Sequence, residues 1–170
     1  FVDVAVQVAV GEDALLAGRI DVAVHSLKDL PTRLPAGLAL GAVPARHDPR
    51  EALVARDGAL TTLRDLPQGA RVGTSSLRRV TQVRYLRPDL RVVPLRGNVP
   101  TRVRKALAGE GCDAALLALA GLERLSLGAR AAPVDPLDVM PAPGQGALGL
   151  EIRGEDGPTR DALRPLGDAA

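Results

Sequence analysis

Lys28 and Asp29 stand side by side just past the short apolar run at 21–25, in a chain of 170 residues whose 22 basic side chains include only two lysines. A lysine so placed can grip an anion. A carboxylate near several cations stays ionised, can exchange protons with a substrate, and can stabilise a cation as it develops. On an open surface the same two residues would be an ion pair worth almost nothing. The choice between these readings depends on what else ends nearby.

Three further segments carry suitable residue types. Gly73-Thr-Ser-Ser-Leu-Arg-Arg79 combines the hydroxyls of Thr74, Ser75 and Ser76 with the first backbone N–H groups of an expected helix, an arrangement that binds anions. Arg78 and Arg79 add planar, permanently charged forks suited to carboxylates or phosphates. Alternatively, a serine merely caps the helix and the arginines lie on its solvated face. Arg96 and Arg102 flank a Gly-Asn turn that opens another helix, again a place where anions are held. Arg124 follows a glycine at a strand end and is ambiguous, while Arg104 reads as solvated. His25 reads as a hydrogen-bonded structural histidine and His47, beside Asp48-Pro49, as a turn residue. Gly144-Gln-Gly-Ala-Leu-Gly149 imitates a dinucleotide fingerprint but lacks the strand that should precede it.

The elements that must position these residues follow from periodicity. Short apolar runs alternate with helical patterns, predicting an α/β protein with mixed sheets covered by helices. Strands are expected at 21–25, within 34–43, and at 52–55, 71–73, 90–93, 113–119 and 148–152. Helices are expected at 12–19, 76–86, 101–108, 122–127 and 158–166. Val2, Val4, Val6, Val8 and Val10 alternate with smaller or polar residues, which predicts a further strand. Four strands end in the polar segments above, and in open α/β sheets ligands bind beyond the carboxyl ends of strands. Residues 45–50 and the Pro- and Gly-rich stretch 131–146 read as crossings. Residues 1–46 with 147–170 would then form one lobe, and 47–146 a second, around a hinged cleft.

Composition sets the outer limits. With 46% hydrophobic residues the chain can bury a core. No apolar run reaches the length of a membrane span, so a soluble chain with no membrane partner is expected. Cys112 is the single cysteine, which excludes an internal disulfide and a Cys-rich metal site and fits a cytoplasmic location. A net charge of +2, one Phe, one Tyr and no Trp argue against a nucleic-acid partner.

Together these motifs resemble those of the porphobilinogen deaminase (hydroxymethylbilane synthase) family. The resemblance is carried by His25-Ser-Leu-Lys-Asp-Leu-Pro31, Arg46-His-Asp-Pro-Arg50, Val72-Gly-Thr-Ser-Ser-Leu-Arg-Arg79, Leu95-Arg-Gly-Asn98 with Thr101-Arg102, Ala120-Gly-Leu122 and Pro143-Gly-Gln-Gly-Ala147, in the family's order. It covers almost everything from Glu12 onward. It implies a two-lobed fold like the type II periplasmic binding proteins, and a monomer. The implied reaction is the deaminating condensation of four porphobilinogen molecules into linear hydroxymethylbilane, built on a covalently held dipyrromethane cofactor.

Carried over from the family, Asp29 would handle pyrrole N–H protons and stabilise the cation left when ammonia departs. Lys28, Ser26, Thr74, Ser75, Ser76, Arg78, Arg79, Arg96, Arg102, Arg124 and Gln145 would hold acetate and propionate groups. The family's opening strand and helix with its Arg-x-Ser-x-Leu-Ala motif, and its third domain with the cofactor-anchoring cysteine, have no counterpart in these 170 residues. Cys112 lies at a helix-to-strand turn and is not expected to replace that anchor, so the chain alone is expected to lack turnover. A non-catalytic small-anion-binding module with the same two lobes is the rival reading.

Overall fold

A computed structural model describes residues 4–56 and 61–167, with side chains described from Val10 onward in the first helix. The chain forms two compact units, residues 1–47 with 143–170 and residues 48–142.

The first unit is built on a three-stranded antiparallel sheet in which β8 (Leu148–Arg153) lies between β1 (Ala23–Ser26) and β2 (Leu38–Ala42). Helix α1 (Val4–Leu16) covers one face, where Leu15, Ala23 and Leu38 pack together. The other face receives α5 (Gly157–Leu163). There a Cβ on Gly41 would come to 3.0 Å from both Ile152 Cδ1 and Leu163 Cδ1, so the missing side chain lets the strand and helix approach closely.

The strand expected over residues 2–10 is corrected by α1; Val2 itself lies outside the described residues. Valine costs a helix only tenths of a kcal/mol relative to good formers, so an alternating valine pattern does not enforce a strand. The helical run 12–16 instead extends backward without a proline to stop it, and α1 packs on the sheet it covers. It ends in a Schellman motif: Arg19 N–H donates to Ala14 O, Gly18 N–H donates to Leu15 O, and Gly18 takes φ +66°.

The second unit carries a mixed five-stranded sheet in the order β5 (Arg91–Val93), β4 (Arg71–Gly73), β6 (Ala114–Ala118), β3 (Glu51–Ala55), β7 (Ala132–Val134). The first three strands are parallel, and β3 runs antiparallel to both β6 and β7. Alternation along β3 and β6 sends side chains to two cores. Leu53, Ala55, Ala114 and Leu116 join Val83 of α2 (Leu77–Leu86) on one face. Ala52, Val54, Ala115 and Leu117 join Val103 and Ala106 of α3 (Val99–Leu107) and Leu122 of α4 (Leu119–Glu123) on the other. Burial on both faces is why these strands read as continuous apolar runs rather than alternating ones. Strand β7 falls inside the stretch expected to be a crossing; Pro133 at its centre hides it from a pattern reading.

Candidate active-site residues

In the first unit β1 ends at Ser26 and runs directly into a 3-10 turn, Leu27–Asp29, which carries the Lys-Asp pair. The turn is fixed by Leu27 N–H donating to Ala147 O at 3.0 Å and Leu30 N–H donating to Leu27 O at 3.3 Å. The segment Gly144–Ala147 presses against it. A Cβ on Gly144 would sit 3.3 Å from Leu27 Cγ and 3.4 Å from the Lys28 backbone nitrogen, and both Gly144 and Gly146 have positive φ. These glycines therefore serve a tight turn before β8, not a dinucleotide-binding loop, which would need a strand before it and a helix after it.

Lys28 Nζ donates to Gln145 Oε1 at 3.2 Å, and Gln145 is itself 1% exposed, with its carbonyl accepting from Arg46 Nε at 2.8 Å. Lys28 is thus aimed by a buried amide. Asp29 beside it is exposed and makes no hydrogen bond or ion pair among the described residues. Of the four sequence-predicted residues in this unit, Lys28 and Gln145 touch, while Ser26 and Asp29 lie at the two ends of the same turn.

His25, expected to be structural, is buried and its Nε2 lies 3.0 Å from Glu151 Oε2. His47, expected in a turn, is exposed and its N–H donates to Gly146 O. Burial pushes the Glu151 carboxyl up, more than His25 draws it down, and Glu12 adds to the rise. Glu151 was not legible as a polar centre, because one acidic residue within an apolar strand carries no spacing signal.

In the second unit β4 delivers Gly73-Thr-Ser-Ser to the start of α2. Gly73 is closely packed: a Cβ there would meet Leu95 Cδ2 at 2.9 Å and Cys112 Sγ at 3.0 Å, so those side chains would have to shift. Ser76 is the N-cap residue of α2 but its side chain makes no capping bond. The Ser76 N–H instead donates to Thr74 Oγ1 at 3.2 Å, Ser75 Oγ donates to Leu95 O at 3.0 Å, and Thr74 is buried.

The two arginines that follow are not equivalent. Arg79 is buried, with Nε and Nη2 on the two oxygens of Glu51 at 3.0 and 2.7 Å and Nη1 on Leu116 O. Arg78 is 29% exposed at its side chain. It reaches Glu51 Oε1 at 2.5 Å through Nη2 and Met140 O through Nη1. Glu51, fully buried at the start of β3, is the residue that joins them, and sequence reasoning missed it. Its partners lie 27 and 28 positions away, so only topology brings the three together.

Asn98 caps α3, accepting from Thr101 N–H at 2.9 Å, and Arg102 Nε donates to Gly97 O at 2.5 Å. Arg96 and Arg124 are both exposed, on either side of this helix in sequence. Cys112 is 0% exposed and burial pushes its thiol up, the opposite of what a reactive anchor needs. Among the described residues no cluster of His, Cys, Asp and Glu could hold a metal, and no helix is long and apolar enough to cross a membrane.

The family model for porphobilinogen deaminase, dipyromethane cofactor binding domain, matches residues 3–161. The porphobilinogen deaminase of Sorangium cellulosum is 57% identical over 159 residues, which is 93% of this chain and 52% of the relative. That of Syntrophobacter fumaroxidans is 53% identical over 158 residues, 92% of this chain and 50% of the relative. The chain thus spans about half the length of the curated relatives it matches.

Among solved structures, a lipoprotein from Bacillus subtilis described as methionine-binding aligns with TM-score 0.56 at 14% identity, covering 91% of this chain and 73% of its own. A substrate-binding domain of an amino acid ABC transporter from Streptococcus pneumoniae aligns with TM-score 0.54 at 15% identity, over 90% and 70% of the two chains. At such identities these two share the fold alone, the type II periplasmic-binding-protein-like architecture.

Proposed function

Because this chain belongs to the porphobilinogen deaminase family, we propose that it supplies the proton-handling and carboxylate-binding residues of a hydroxymethylbilane synthase, a transferase of tetrapyrrole (haem and chlorophyll) biosynthesis. The substrate would be porphobilinogen, condensed head to tail four times with loss of ammonia. The observation that carries this reading is Asp29, an exposed carboxylate without a partner among the described residues, on a turn whose neighbouring lysine is aimed by buried Gln145.

Each porphobilinogen brings an acetate and a propionate, and fixed cations balance such groups without reorganising as the reaction proceeds. Arg78, held by Glu51 but partly exposed, and the exposed Arg96 would take this role directly, with Arg102 and Arg124 on and beyond α3. The Ser76 hydroxyl would add a donor, while Ser75, whose hydroxyl donates to Leu95 O, and Thr74, which accepts the Ser76 N–H, would hold the segment in place. Arg79 would act through the shared Glu51, keeping its partner's fork in register. Asp29 would take up pyrrole N–H protons and balance the positive charge that develops when ammonia leaves the aminomethyl carbon. Ser26 and Lys28 would orient a substrate carboxylate at the same turn.

Dipyrromethane, when bound, supplies the growing end to which each pyrrole is added. The cationic and hydroxyl donors of the second unit fit its carboxylates. Cys112 does not fit its covalent attachment, being buried with a raised thiol pKa. Mass spectrometry of the 170-residue chain mixed with porphobilinogen is expected to show Cys112 unmodified; an adduct on it would overturn that assignment.

We place the protein in the cytoplasm as a monomer that binds neither nucleic acid nor membrane. The decisive experiment is Asp29→Ala in the gene-encoded protein. Turnover of porphobilinogen should fall by about 10²-fold or more while tetrapyrrole binding is largely kept. Unchanged turnover, or no turnover in the unsubstituted protein, would sink the reading in favour of a non-catalytic anion-binding module.

A further inference from the structure

His25 and Glu151 lie behind the Lys28–Asp29 turn and take no part in the chemistry above. Strand register pairs Ala23 with Glu151 and His25 with Gly149, so the two side chains are diagonal neighbours on one face of the β1–β8 ladder. That face is sealed by α1, where a Cβ on Gly11 would come within 3.3 Å of the His25 ring and 3.4 Å of Ala23. Glu151 is 0% exposed and His25 6%. Their 3.0 Å contact leaves room for one hydrogen, while Glu151 Oε1 has no hydrogen-bond partner among the described residues.

We propose that His25 and Glu151 are positioning residues: as a net-neutral pair sharing one proton they fix the turn that carries Lys28 and Asp29, and loss of that proton as pH rises loosens the turn. The inference rests on the reading of Asp29 and Lys28 given above. With the proton present, either the acid donates to the imidazole or the imidazolium donates to the carboxylate, and both forms are neutral overall. Without it, one net negative charge is buried beside an oxygen that no described group satisfies, a costly state.

The surrounding charges do not relieve that state. Glu12 on α1 repels it, Asp13 is exposed, and β2 carries no charged residue. Arg153, two residues along β8, is engaged by Asp21, Asp156 and the carbonyls of Leu15 and Ile20. Lys28 bonds Gln145, and Asp29 is exposed. The route to the turn is short: the ladder passes from His25 to the Ser26–Leu148 pair and then to the Leu27 N–H bond on Ala147 O.

Amide hydrogen exchange on the gene-encoded protein tests this without requiring activity. Protection of the Leu27 and Leu30 amides, corrected for intrinsic exchange, should fall about tenfold or more as the pair loses its proton, while β6 amides keep theirs. Glu151→Gln, neutral at every pH, should flatten that fall. Glu12→Gln leaves the pair intact but removes its repulsive neighbour, and should move the midpoint to lower pH. In the active enzyme kcat for porphobilinogen should decline with the same midpoint.

Flat protection in the unsubstituted protein overturns the proposal. So does a fall that Glu151→Gln leaves unchanged, or a kcat that ignores the transition. Absence of any porphobilinogen turnover would instead strike the functional reading, leaving the exchange result to decide whether the pair controls the turn.

Discussion

At the scale of single residues, the two arginines of the Ser-Ser-Leu-Arg-Arg segment show how identical side chains are given different tasks. Arg79 is buried against both oxygens of Glu51, whereas Arg78 shares one oxygen and stays partly exposed. Glu51→Ala would strand a buried guanidinium, which costs about 3–5 kcal/mol. Urea denaturation of the variant should show that loss. Glu51→Gln should recover part of it, because an amide still accepts one hydrogen bond. Lys28 and Asp29 stand out in the sequence as candidates because both sit in a strand-end segment of distinctive composition. Glu51 does not, since one acidic residue opening an apolar strand looks like an edge residue until β3 is paired on both sides.

At the scale of elements, helix ends carry more of the design than helix interiors. Helix α3 is stopped like α1, with Glu110 N–H on Lys105 O, Gly109 N–H on Ala106 O and Gly109 at φ +67°. Its start depends on Asn98, whose side chain accepts the Thr101 N–H. Asn98→Ala should cost about 1 kcal/mol in thermal or urea unfolding. If Arg102 serves as a carboxylate ligand, the same change should raise KM more than it lowers kcat, since Arg102 lies on the first turn that Asn98 caps. Most strands and helices could be read from periodicity, because apolar runs bounded by Gly and Pro leave few alternatives. The first helix could not, since its valines alternate as strand residues do while packing on the sheet decides their conformation.

At the scale of the whole molecule, carboxylates shifted in opposite directions give the fold two responses to pH. In the second unit, Asp48, Asp89 and Asp113 are held below the usual carboxylate range by hydrogen bonds from Arg50, Arg87 and Arg71 respectively. A folded-state pKa below the unfolded one gives stability that is present above the ordinary value of 3.8 and is lost as pH falls through the lowered value. In the first unit Glu151 is raised, so its contribution is present below its ordinary value of 4.5 and is lost as pH rises through the folded value. Exchange protection measured unit by unit should therefore weaken in acid across the second unit's strands, and Asp113→Asn should reduce that sensitivity.

The five-stranded sheet ends at β7, whose centre is Pro133 opposite Ala52. In an antiparallel ladder each residue turns its amide and carbonyl to the same side, and successive residues alternate. A proline lies where the amide would have pointed outward, so the flanking Ala132 and Val134 turn theirs toward β3. Pro133 is thus the position at which β7 would have offered a donor to an incoming strand, and it has none to offer. With that donor missing, the rim of the sheet is a poorer template for an added strand.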